Sequence, residues 1–292
     1  MAGPRPPPAP RGAMVEIGGG RRLHLVRAGP EGAQPTVLLE AGSFGFSADW
    51  SVVQARLAER GLRSLAYDRA GLGHSDVGPA PRDGLAIASD LEALLEAAHE
   101  PGPILYVGHS MAGLHAHLFA GRNRERVAGI VLVDAITPTS AEGAAAQRIA
   151  AQYVRLSQVA AWAAGRGLMR PFARFGDSIG LSTEGAAHKR WAFAHGGHNR
   201  AAADEVVEWE ATVRQAKAAG PLDPDWPVAV VTAGPARVGQ RQRALMAEPA
   251  RASRHGYVVN VAAANHASLL GRRYAGAIVA AIEHVRGMAN RT

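Results

Sequence analysis

The sequence predicts an α/β fold with a mostly parallel, doubly wound sheet, an antiparallel hairpin at its N-terminal edge and an inserted block of helices. Short apolar runs alternate with helical patterns between residues 36 and 133, which is typical of strands that pair in parallel. Two alternating runs separated by three consecutive glycines precede them and favour the hairpin. The alternation stops over residues 139–220, where alanine-rich segments with a helical pattern replace it.

The spacing of apolar residues places each strand and helix in chain order. Strands are expected at short, apolar and often β-branched runs, which are residues 13–17, 23–26, 36–39, 64–66, 104–107, 129–133, 227–232 and 257–261. Helices outside the inserted block are expected at residues 50–60, 84–98, 111–120 and 274–286. Ser47 or Asp49 is the expected N-cap of the first helix.

Three regions are expected along the chain. Residues 1–12 are rich in proline and lack the apolar core of a secretory signal, so they predict a disordered tail. Residues 13–138 and 221–292 form the expected α/β core, and residues 139–220 form the helical insertion. At 292 residues the chain is long enough for one large domain of this kind but too short for two.

Composition excludes several classes of function. The net charge is +7 and the isoelectric point is about 10.5. Arginines and acidic residues are interleaved, however, and the lysines are only Lys189 and Lys217, so no nucleic-acid partner is predicted. A chain without cysteine can form no disulfide, cysteine nucleophile or thiolate metal site. No run reaches the roughly 18 apolar residues of a membrane span, and the expected location is the cytoplasm.

A serine lies between an expected strand and an expected helix, in the segment Gly108-His109-Ser110-Met111-Ala112. Such a sharp turn requires small residues two positions before and after the serine, and Gly108 and Ala112 meet this requirement. The segment resembles the nucleophile elbow of the α/β-hydrolase superfamily, whose usual form is Gly-x-Ser-x-Gly. The resemblance implies that Ser110 is a nucleophile and that the Met111 amide, at the helix N-terminus, donates to an oxyanion.

Two further segments match positions that the superfamily uses for catalysis. Residues 40–45 stand where the superfamily usually carries His-Gly-x-x-Gly, and this resemblance implies that the amide of Ser43 is the second oxyanion donor. His266 follows the last expected strand and precedes the C-terminal helix, which is where the superfamily places its general base. The alternatives at these positions are an ordinary glycine-rich connection and a structural histidine.

The carboxylate partner of the base departs from the usual pattern. A serine hydroxyl needs a histidine to take its proton, and the histidine needs a carboxylate to fix its tautomer. Residues 233–240, where the superfamily most often has that acid, contain none. Asp134, after the preceding strand, is the expected acid, because some branches of the superfamily carry it there. If Asp134 only organises its turn, Asp223 or Asp225 becomes the candidate.

Other polar residues have structural interpretations. The segment 68–75 resembles the Asp-x-x-Gly-x-Gly-x-Ser loop of the superfamily, so Asp68 and His74 are expected to organise that loop. His115 and His117 could suggest a metal, but residues two apart face different sides of a helix, and no acidic residue completes a ligand set. We therefore expect packing or surface histidines, with neither a metal nor another cofactor.

Candidate substrate-binding residues are Phe44 beside the second oxyanion donor, His109 beside the nucleophile and Trp191 in the helical insertion. The insertion also carries Trp162 and Phe193. Its aromatic residues either line an apolar pocket or form the core of a cap, and the sequence favours neither interpretation.

The resemblance covers nearly the whole chain from residue 13. It implies a serine hydrolase that cleaves a carboxylic ester of a small molecule through an acyl-enzyme on Ser110. The elbow serine argues against haloalkane dehalogenases and epoxide hydrolases, which use an aspartate there. Cleavage of amides, thioesters, lactones and carbon–carbon bonds, and perhydrolysis, stay open because the same triad serves them.

A hydrolase-like protein that only binds its ligand is the alternative outside the enzymes. A distance between Asp134 and His266 beyond hydrogen-bond reach would favour that alternative. The sequence predicts neither the oligomeric state nor the acyl and alcohol groups of the substrate, since these depend on the shape of the insertion and on the outer surface.

Overall fold

The computed structural model describes residues 8–235 and 239–289. Residues 1–7, most of the expected tail, lie outside the described residues, and residues 8–12 contain no helix or strand. The amide of Gly12 nevertheless donates to Nε2 of His24 at 3.2 Å. The last residue of the expected tail is therefore attached to the sheet.

One sheet organises the described residues. Its eight strands are β1 (Ala13–Glu16), β2 (Arg22–Ala28), β3 (Thr36–Glu40), β4 (Ser64–Tyr67), β5 (Ile104–His109), β6 (Val127–Val133), β7 (Val228–Ala233) and β8 (Tyr257–Val261). Their spatial order is β1-β2-β4-β3-β5-β6-β7-β8. The pairs β1–β2 and β2–β4 are antiparallel, and the other pairs are parallel. This is the predicted mostly parallel sheet with an N-terminal antiparallel hairpin.

Ten α-helices accompany the strands within the described residues. They are α1 (Ser51–Ala58), α2 (Gly84–Ala97), α3 (Ala112–Arg122), α4 (Ala144–Gly165), α5 (Thr183–Ala194), α6 (Gly196–Val207), α7 (Trp209–Ala218), α8 (Gln240–Met246), α9 (Glu248–Ala252) and α10 (Ala275–Ala289). In the central strand β3, Val37 and Leu39 share a core cluster with α1 and α10, whereas Leu38 shares one with α2 and α3. Helices therefore cover both faces, and the sheet is doubly wound as predicted.

The central strands are apolar because both of their faces are covered. Val131 and Leu132 of β6, for example, are fully buried on opposite faces. Gly129 shows how closely α10 approaches this strand, since a side chain there would place its Cβ 2.3 Å from Cγ1 of Val285. The glycine lets the helix pack directly against the sheet.

The chain between β6 and β7 is helical. Its longest helix, α4, packs against α6, and α7 packs against α2 and α3. Lys189 of α5 and His198 of α6 reach the loop that follows β3, where both donate to the carbonyl oxygen of Phe44. None of the described helices combines the length and the apolar character that crossing a membrane requires.

Two local features differ from the sequence prediction. The predicted N-caps of α1 are wrong, because a 3₁₀ turn covers Ser47–Trp50 and no side chain caps α1. Asp49 instead forms a buried ion pair with Lys189 at 2.8 Å. The short helices α8 and α9 fill the connection between β7 and β8, where the sequence shows too little apolar periodicity to predict them.

Candidate active site

The serine of the strand-to-helix turn lies directly after β5 in a left-handed backbone conformation, with φ of +57°. Its neighbours are tightly packed. A Cβ at Gly108 would lie 2.7 Å from the carbonyl oxygen of Ala112, and a Cβ at Gly113 would lie 2.3 Å from that of Ile136. Small residues are therefore required on both sides of Ser110. Because α3 begins two residues later, the serine lies at a helix N-terminus.

The loop after β3, residues 41–45 (the β3 loop below), approaches this serine. A Cβ at Gly42 would lie 2.6 Å from Cβ of Ser110 and 3.2 Å from its Oγ. Oγ of Ser43 contacts Sδ of Met111 at 3.4 Å, so these two residues are neighbours. The amides of Ser43 and Met111 donate to no other described residue. Two unpaired amides beside Ser110 are donors of the kind that a developing oxyanion requires.

Asp134 and His266 meet at the same edge of the sheet. Asp134 follows β6 with φ of +42°, and His266 follows β8. Nδ1 of His266 donates to Oδ2 of Asp134 at 2.7 Å, and the Ala233 amide donates to Oδ1 at 3.1 Å. Burial raises the pKa of Asp134, but the hydrogen bond and charge of His266, together with the Ala233 amide, outweigh burial and lower that pKa below its usual value. The ionised carboxylate keeps the proton on Nδ1, which leaves Nε2 as the basic nitrogen.

The alternative acids lie elsewhere. Asp223 pairs with Arg124, and Asp225 pairs with Arg254. The hydrogen bonds that His266 makes within the described structure use Nδ1 and its backbone carbonyl, and none reaches Oγ of Ser110. Catalytic hydrogen bonds in unliganded enzymes are often long and shorten when substrate binds. The structure thus joins the predicted acid to the predicted base, and the serine hydroxyl has no hydrogen-bond partner among the described residues.

His109 packs against the ring of His266, with 4.5 Å between the ring centres. Its Nε2 donates to the backbone carbonyl of His266 at 3.2 Å, and Trp50 contacts it at the edge. Burial lowers the pKa of His109 to about 3, and the nearby His266 adds to this shift. His109 is therefore a neutral support for the His266 backbone, and its contact with substrate stays a prediction.

An apolar cavity of about 330 Å³ lies between the β3 loop and the helices that follow β6. Its walls include Phe44, Tyr153, Leu156, Met169 and Phe193. Phe44, a candidate substrate-binding residue, also contacts Tyr153 edge to face, with 6.4 Å between the ring centres. The cavity therefore begins at the residue next to Ser43.

Trp191 lies apart from that cavity. Its ring stacks on His74 and on His195, with 5.4 and 4.6 Å between the ring centres. This packing provides no support for the predicted contact between Trp191 and substrate. Asp68 has the loop-organising contacts expected for it, because its carboxylate accepts hydrogen bonds from the amides of Ser47 and His74.

The histidines of α3 are buried in packing positions. Nδ1 of His115 donates to Glu40 at 2.7 Å, and Nδ1 of His117 donates to the carbonyl of Gly220 at 3.3 Å. Burial raises the pKa of Glu40, but His115, Arg69 and Tyr106 together outweigh burial and lower that pKa overall. In residues 8–235 and 239–289, no group of three or more acidic, histidine or cysteine side chains could hold a metal ion.

A buried pair of charges beside the site was not predicted from the sequence. Arg69, after β4, donates to both carboxylate oxygens of Glu205 on α6, at 2.9 and 2.8 Å. The same guanidinium donates to the Gly42 carbonyl at 3.0 Å. Arg69 stands next to Asp68 in a recognisable loop, but its partner is 136 positions away. No local pattern could have joined them.

Comparison with known proteins agrees with this fold. The sequence profile of a family described as alpha/beta hydrolase fold matches residues 35–173. This match places residues 35–173 in the α/β-hydrolase superfamily. The matched segment runs from the residue before β3 into the helices that follow β6, and it includes Ser110 and Asp134.

Curated members of the superfamily and other relatives match shorter segments. The chain is 38% identical over 126 residues to the putative carbamate hydrolase RutD of Variovorax paradoxus (strain S110), which covers 42% of this chain and 46% of that protein. It is 35% identical over 134 residues to the probable transporter efuK of Hormonema carpetanum, which covers 42% of this chain and 18% of that protein. The chain thus spans less than half the length of these curated relatives.

Solved structures of the superfamily align with nearly the whole chain. The enol-lactonase from Burkholderia xenovorans LB400 has a TM-score of 0.67 and 19% identity, covering 94% of this chain and 99% of that one. Epoxide Hydrolase A from Mycobacterium thermoresistibile has a TM-score of 0.72 and 20% identity, and the alignment covers 96% of this chain and 99% of that one. At these low sequence identities, the structural similarity shows a shared fold and nothing further.

Proposed function

We propose that the protein is a serine hydrolase that cleaves a carboxylic ester, or a related acyl bond, of a small molecule. The observation that carries the proposal is the 2.7 Å hydrogen bond between Asp134 and His266, at the edge of the sheet where β5 delivers Ser110. The order Ser, Asp, His along the chain is the order of the catalytic residues in this fold.

Each residue has a defined role in the proposed reaction. Nε2 of His266 takes the proton of Ser110, whose Oγ attacks the acyl carbon, while Asp134 stabilises the imidazolium. The amides of Ser43 and Met111 donate to the oxygen that becomes negative. His266 then protonates the departing alcohol, which leaves an acyl ester on Ser110. Water attacks that ester with His266 as base, and the carboxylic acid and the free serine are released.

The proposed substrate binds between a core of residues 13–138 and 221–292 and a cap of residues 139–220, in the cytoplasm. The cavity beside Phe44 is lined mainly by aromatic and aliphatic side chains and suits an apolar group of the ester. A lactone or a carbamate requires the same acyl chemistry, and a lactonase and a putative carbamate hydrolase are among the similar proteins. Thioester or carbon–carbon cleavage and perhydrolysis are further alternatives.

A ligand-binding protein without turnover is the second candidate. The absence of a hydrogen bond from His266 to Ser110 within the described structure favours it. The short contact between Asp134 and His266 argues against it, because a protein that only binds has no need of an oriented base. The two candidates differ in whether Ser110 is activated.

Labelling with a fluorophosphonate tests the proposal, because this electrophile traps an activated serine whatever the natural substrate. We expect rapid labelling of the wild-type protein and none in Ser110→Ala. Ser253→Ala is the matched control, since Ser253 donates to the carbonyl of Trp226 and makes no contact with the proposed site. That control should be labelled at the wild-type rate. No labelling of a folded wild-type protein would favour the ligand-binding protein.

A further inference from the structure

Arg69 connects the β3 loop to helix α6. Its guanidinium donates to the backbone carbonyls of Ala41 and Gly42 on one side and to both carboxylate oxygens of Glu205 on the other. The planar guanidinium has five donors in a fixed geometry, so bonds to Glu205 also determine its orientation toward the loop. A residue of the helical segment after β6 thereby fixes the group that holds the loop backbone.

A third carbonyl of the loop is held by the same helical segment. Nζ of Lys189 and Nε2 of His198 donate to the carbonyl of Phe44 at 2.9 and 3.3 Å. Nδ1 of His198 accepts from the Gly73 amide at 3.0 Å, and burial lowers the pKa of His198 to about 3, so this neutral ring carries its proton on Nε2. Helices α5 and α6 therefore contact the end of the loop directly, whereas α6 reaches its start only through Arg69.

Arg69 helps to fix the direction of one amide, because the Gly42 carbonyl accepts from Arg69 and from the Gly45 amide, each at 3.0 Å. In a trans peptide the C=O and N–H groups point in opposite directions. The carbonyl of Gly42 and the amide of Ser43 belong to the same peptide, so fixing that carbonyl on Arg69 directs the Ser43 N–H away from it. Gly42 packs against Ser110, at a distance that would place a Cβ 2.6 Å from Cβ of the serine.

Burial makes this arrangement depend on both charges. Arg69 is 2% exposed and Glu205 is 1% exposed, so water cannot replace either partner. Glu40 is the next carboxylate, at 3.7 Å from Arg69. Removing Glu205 would leave a buried guanidinium without its bidentate partner, which is strongly unfavourable, and the guanidinium would shift toward the remaining carboxylate.

We propose that Arg69, held by Glu205, is a positioning residue that orients the Ser43 amide toward the oxyanion formed on Ser110. Helix α6 thereby helps to build the oxyanion site as well as covering it. This inference rests on the proposed function, because an oriented Ser43 amide matters only if Ser110 forms a tetrahedral intermediate.

Glu205→Gln is the primary test, because it keeps the size of the side chain and removes the charge and the bidentate contact. With a chromogenic ester, and with active sites counted by fluorophosphonate titration, we expect kcat per active site to fall by about 10- to 100-fold. KM should stay within about threefold, since the amide acts on the transition state and contributes little to ground-state binding.

A boronic acid supplies a readout that a purely structural role would not change. Boronates add to the serine hydroxyl and form a charged tetrahedral adduct that resembles the intermediate. Phenylboronic acid should inhibit Glu205→Gln more weakly by the same factor as the loss of kcat. A neutral competitive inhibitor that forms no adduct should bind as it does to wild type.

Asp90→Asn is the matched control. Asp90 forms a similarly buried ion pair with Arg82 at 2.7 Å, on α2 and away from the β3 loop. The Asp90→Asn substitution should lower the unfolding temperature while kcat per active site stays unchanged. If Glu205→Gln does not fold, the double variant Arg69→Met with Glu205→Met removes both charges together and avoids an unpaired one. That variant should fold and still show the loss of kcat.

The outcomes separate the two proposals. If wild-type Ser110 is not labelled by the fluorophosphonate, the proposed function fails. If wild type is labelled and turns over, but Glu205→Gln and the double variant keep the wild-type kcat and boronate affinity, only the positioning role of Arg69 is wrong. A parallel loss in kcat and boronate affinity supports both.

Discussion

Strained backbone at single residues is concentrated at the proposed site. Of the four non-glycine residues described with positive φ, three are Phe44, Ser110 and Asp134, and each follows a central strand. Such conformations cost about 1–3 kcal/mol each, so surrounding contacts must enforce them. Here the Ser110 amide donates to the carbonyl oxygen of Val133 in β6, and the Asp134 amide donates to that of Val231 in β7. Hydrogen bonds to the neighbouring strands therefore hold the residues that the proposed chemistry needs.

The role of Asp134 can be tested by Asp134→Asn. The amide cannot stabilise an imidazolium and can favour the wrong tautomer of His266, so kcat should fall by up to about ten-thousandfold. The fold should be retained, because the side chain keeps its size. Ester turnover and thermal unfolding of the same preparation measure the two effects.

Asp223→Asn is the control for this prediction, since Asp223 pairs with Arg124 outside the proposed site. It should turn over ester like wild type. Near-normal turnover in Asp134→Asn would show that another group orients His266.

Residues that carry a local motif could be predicted from the sequence, whereas residues whose partners are distant could not. Ser110 is recognisable from its small neighbours, and His266 and Asp134 from their positions after strands. The partnership of Arg69 with Glu205 depends on how α6 packs, and nothing in either local sequence encodes it. Asp49 illustrates the same limit, because its pairing with Lys189 replaced the expected N-cap.

At the scale of whole elements, apolar runs made the strands predictable because parallel strands that are buried on both faces are mostly apolar. The helical segment after β6 was predictable as helical, but the paths of α4–α7 were not, since their alanine-rich sequences fit several packings. One contact that fixes such a path is at Asp83. Its Oδ1 accepts from the Ala86 amide at 3.0 Å to cap α2, and its Oδ2 accepts from Gln215 of α7 at 2.7 Å.

Asp83→Ala should destabilise the protein without changing its chemistry. The substitution removes the N-cap of α2 and the bond to α7, and loss of such a cap typically costs about 1–2 kcal/mol. Urea unfolding should show that loss in the free energy of unfolding, while kcat per active site stays constant.

Asp83→Asn retains a side-chain acceptor for the cap and should recover most of the lost stability. Equal stability of Asp83→Ala and wild type would mean that water caps α2 equally well.

At the scale of the whole molecule, buried neutral histidines couple stability to pH. Burial lowers the pKa of His117 to about 4, and burial likewise lowers the pKa of His109 and His198 to about 3. In the unfolded chain the pKa of a histidine is about 6.5. At a pH between the folded and unfolded pKa values, the unfolded chain binds protons that the folded protein does not. The contribution of these histidines to stability is therefore complete above pH about 6.5, and it falls as the pH decreases toward the folded pKa.

His117→Gln should flatten this pH dependence, because it removes one such group at a position outside the proposed site. The slope of the unfolding free energy between pH 6 and 4.5 should decrease by up to about 1.4 kcal/mol per pH unit. Urea unfolding at several pH values measures it. His99→Asn, at an exposed position, should leave the slope unchanged, and an unchanged slope in His117→Gln would contradict the prediction.

The contact of Lys189 with the β3 loop also allows a local opening of the protein to be measured by chemical labelling. While Nζ is bonded to Asp49 and to the carbonyl of Phe44, and the side chain is only 16% exposed, an amine-acylating reagent reacts with it slowly. Lys217, the other lysine of the chain, is 66% exposed and pairs with Glu142 at the surface, so the same reagent reaches it without any opening of the fold. The rate at which Lys189 is acylated relative to Lys217 therefore reports how often α5 separates from the β3 loop, which is a local opening too brief for equilibrium unfolding to detect.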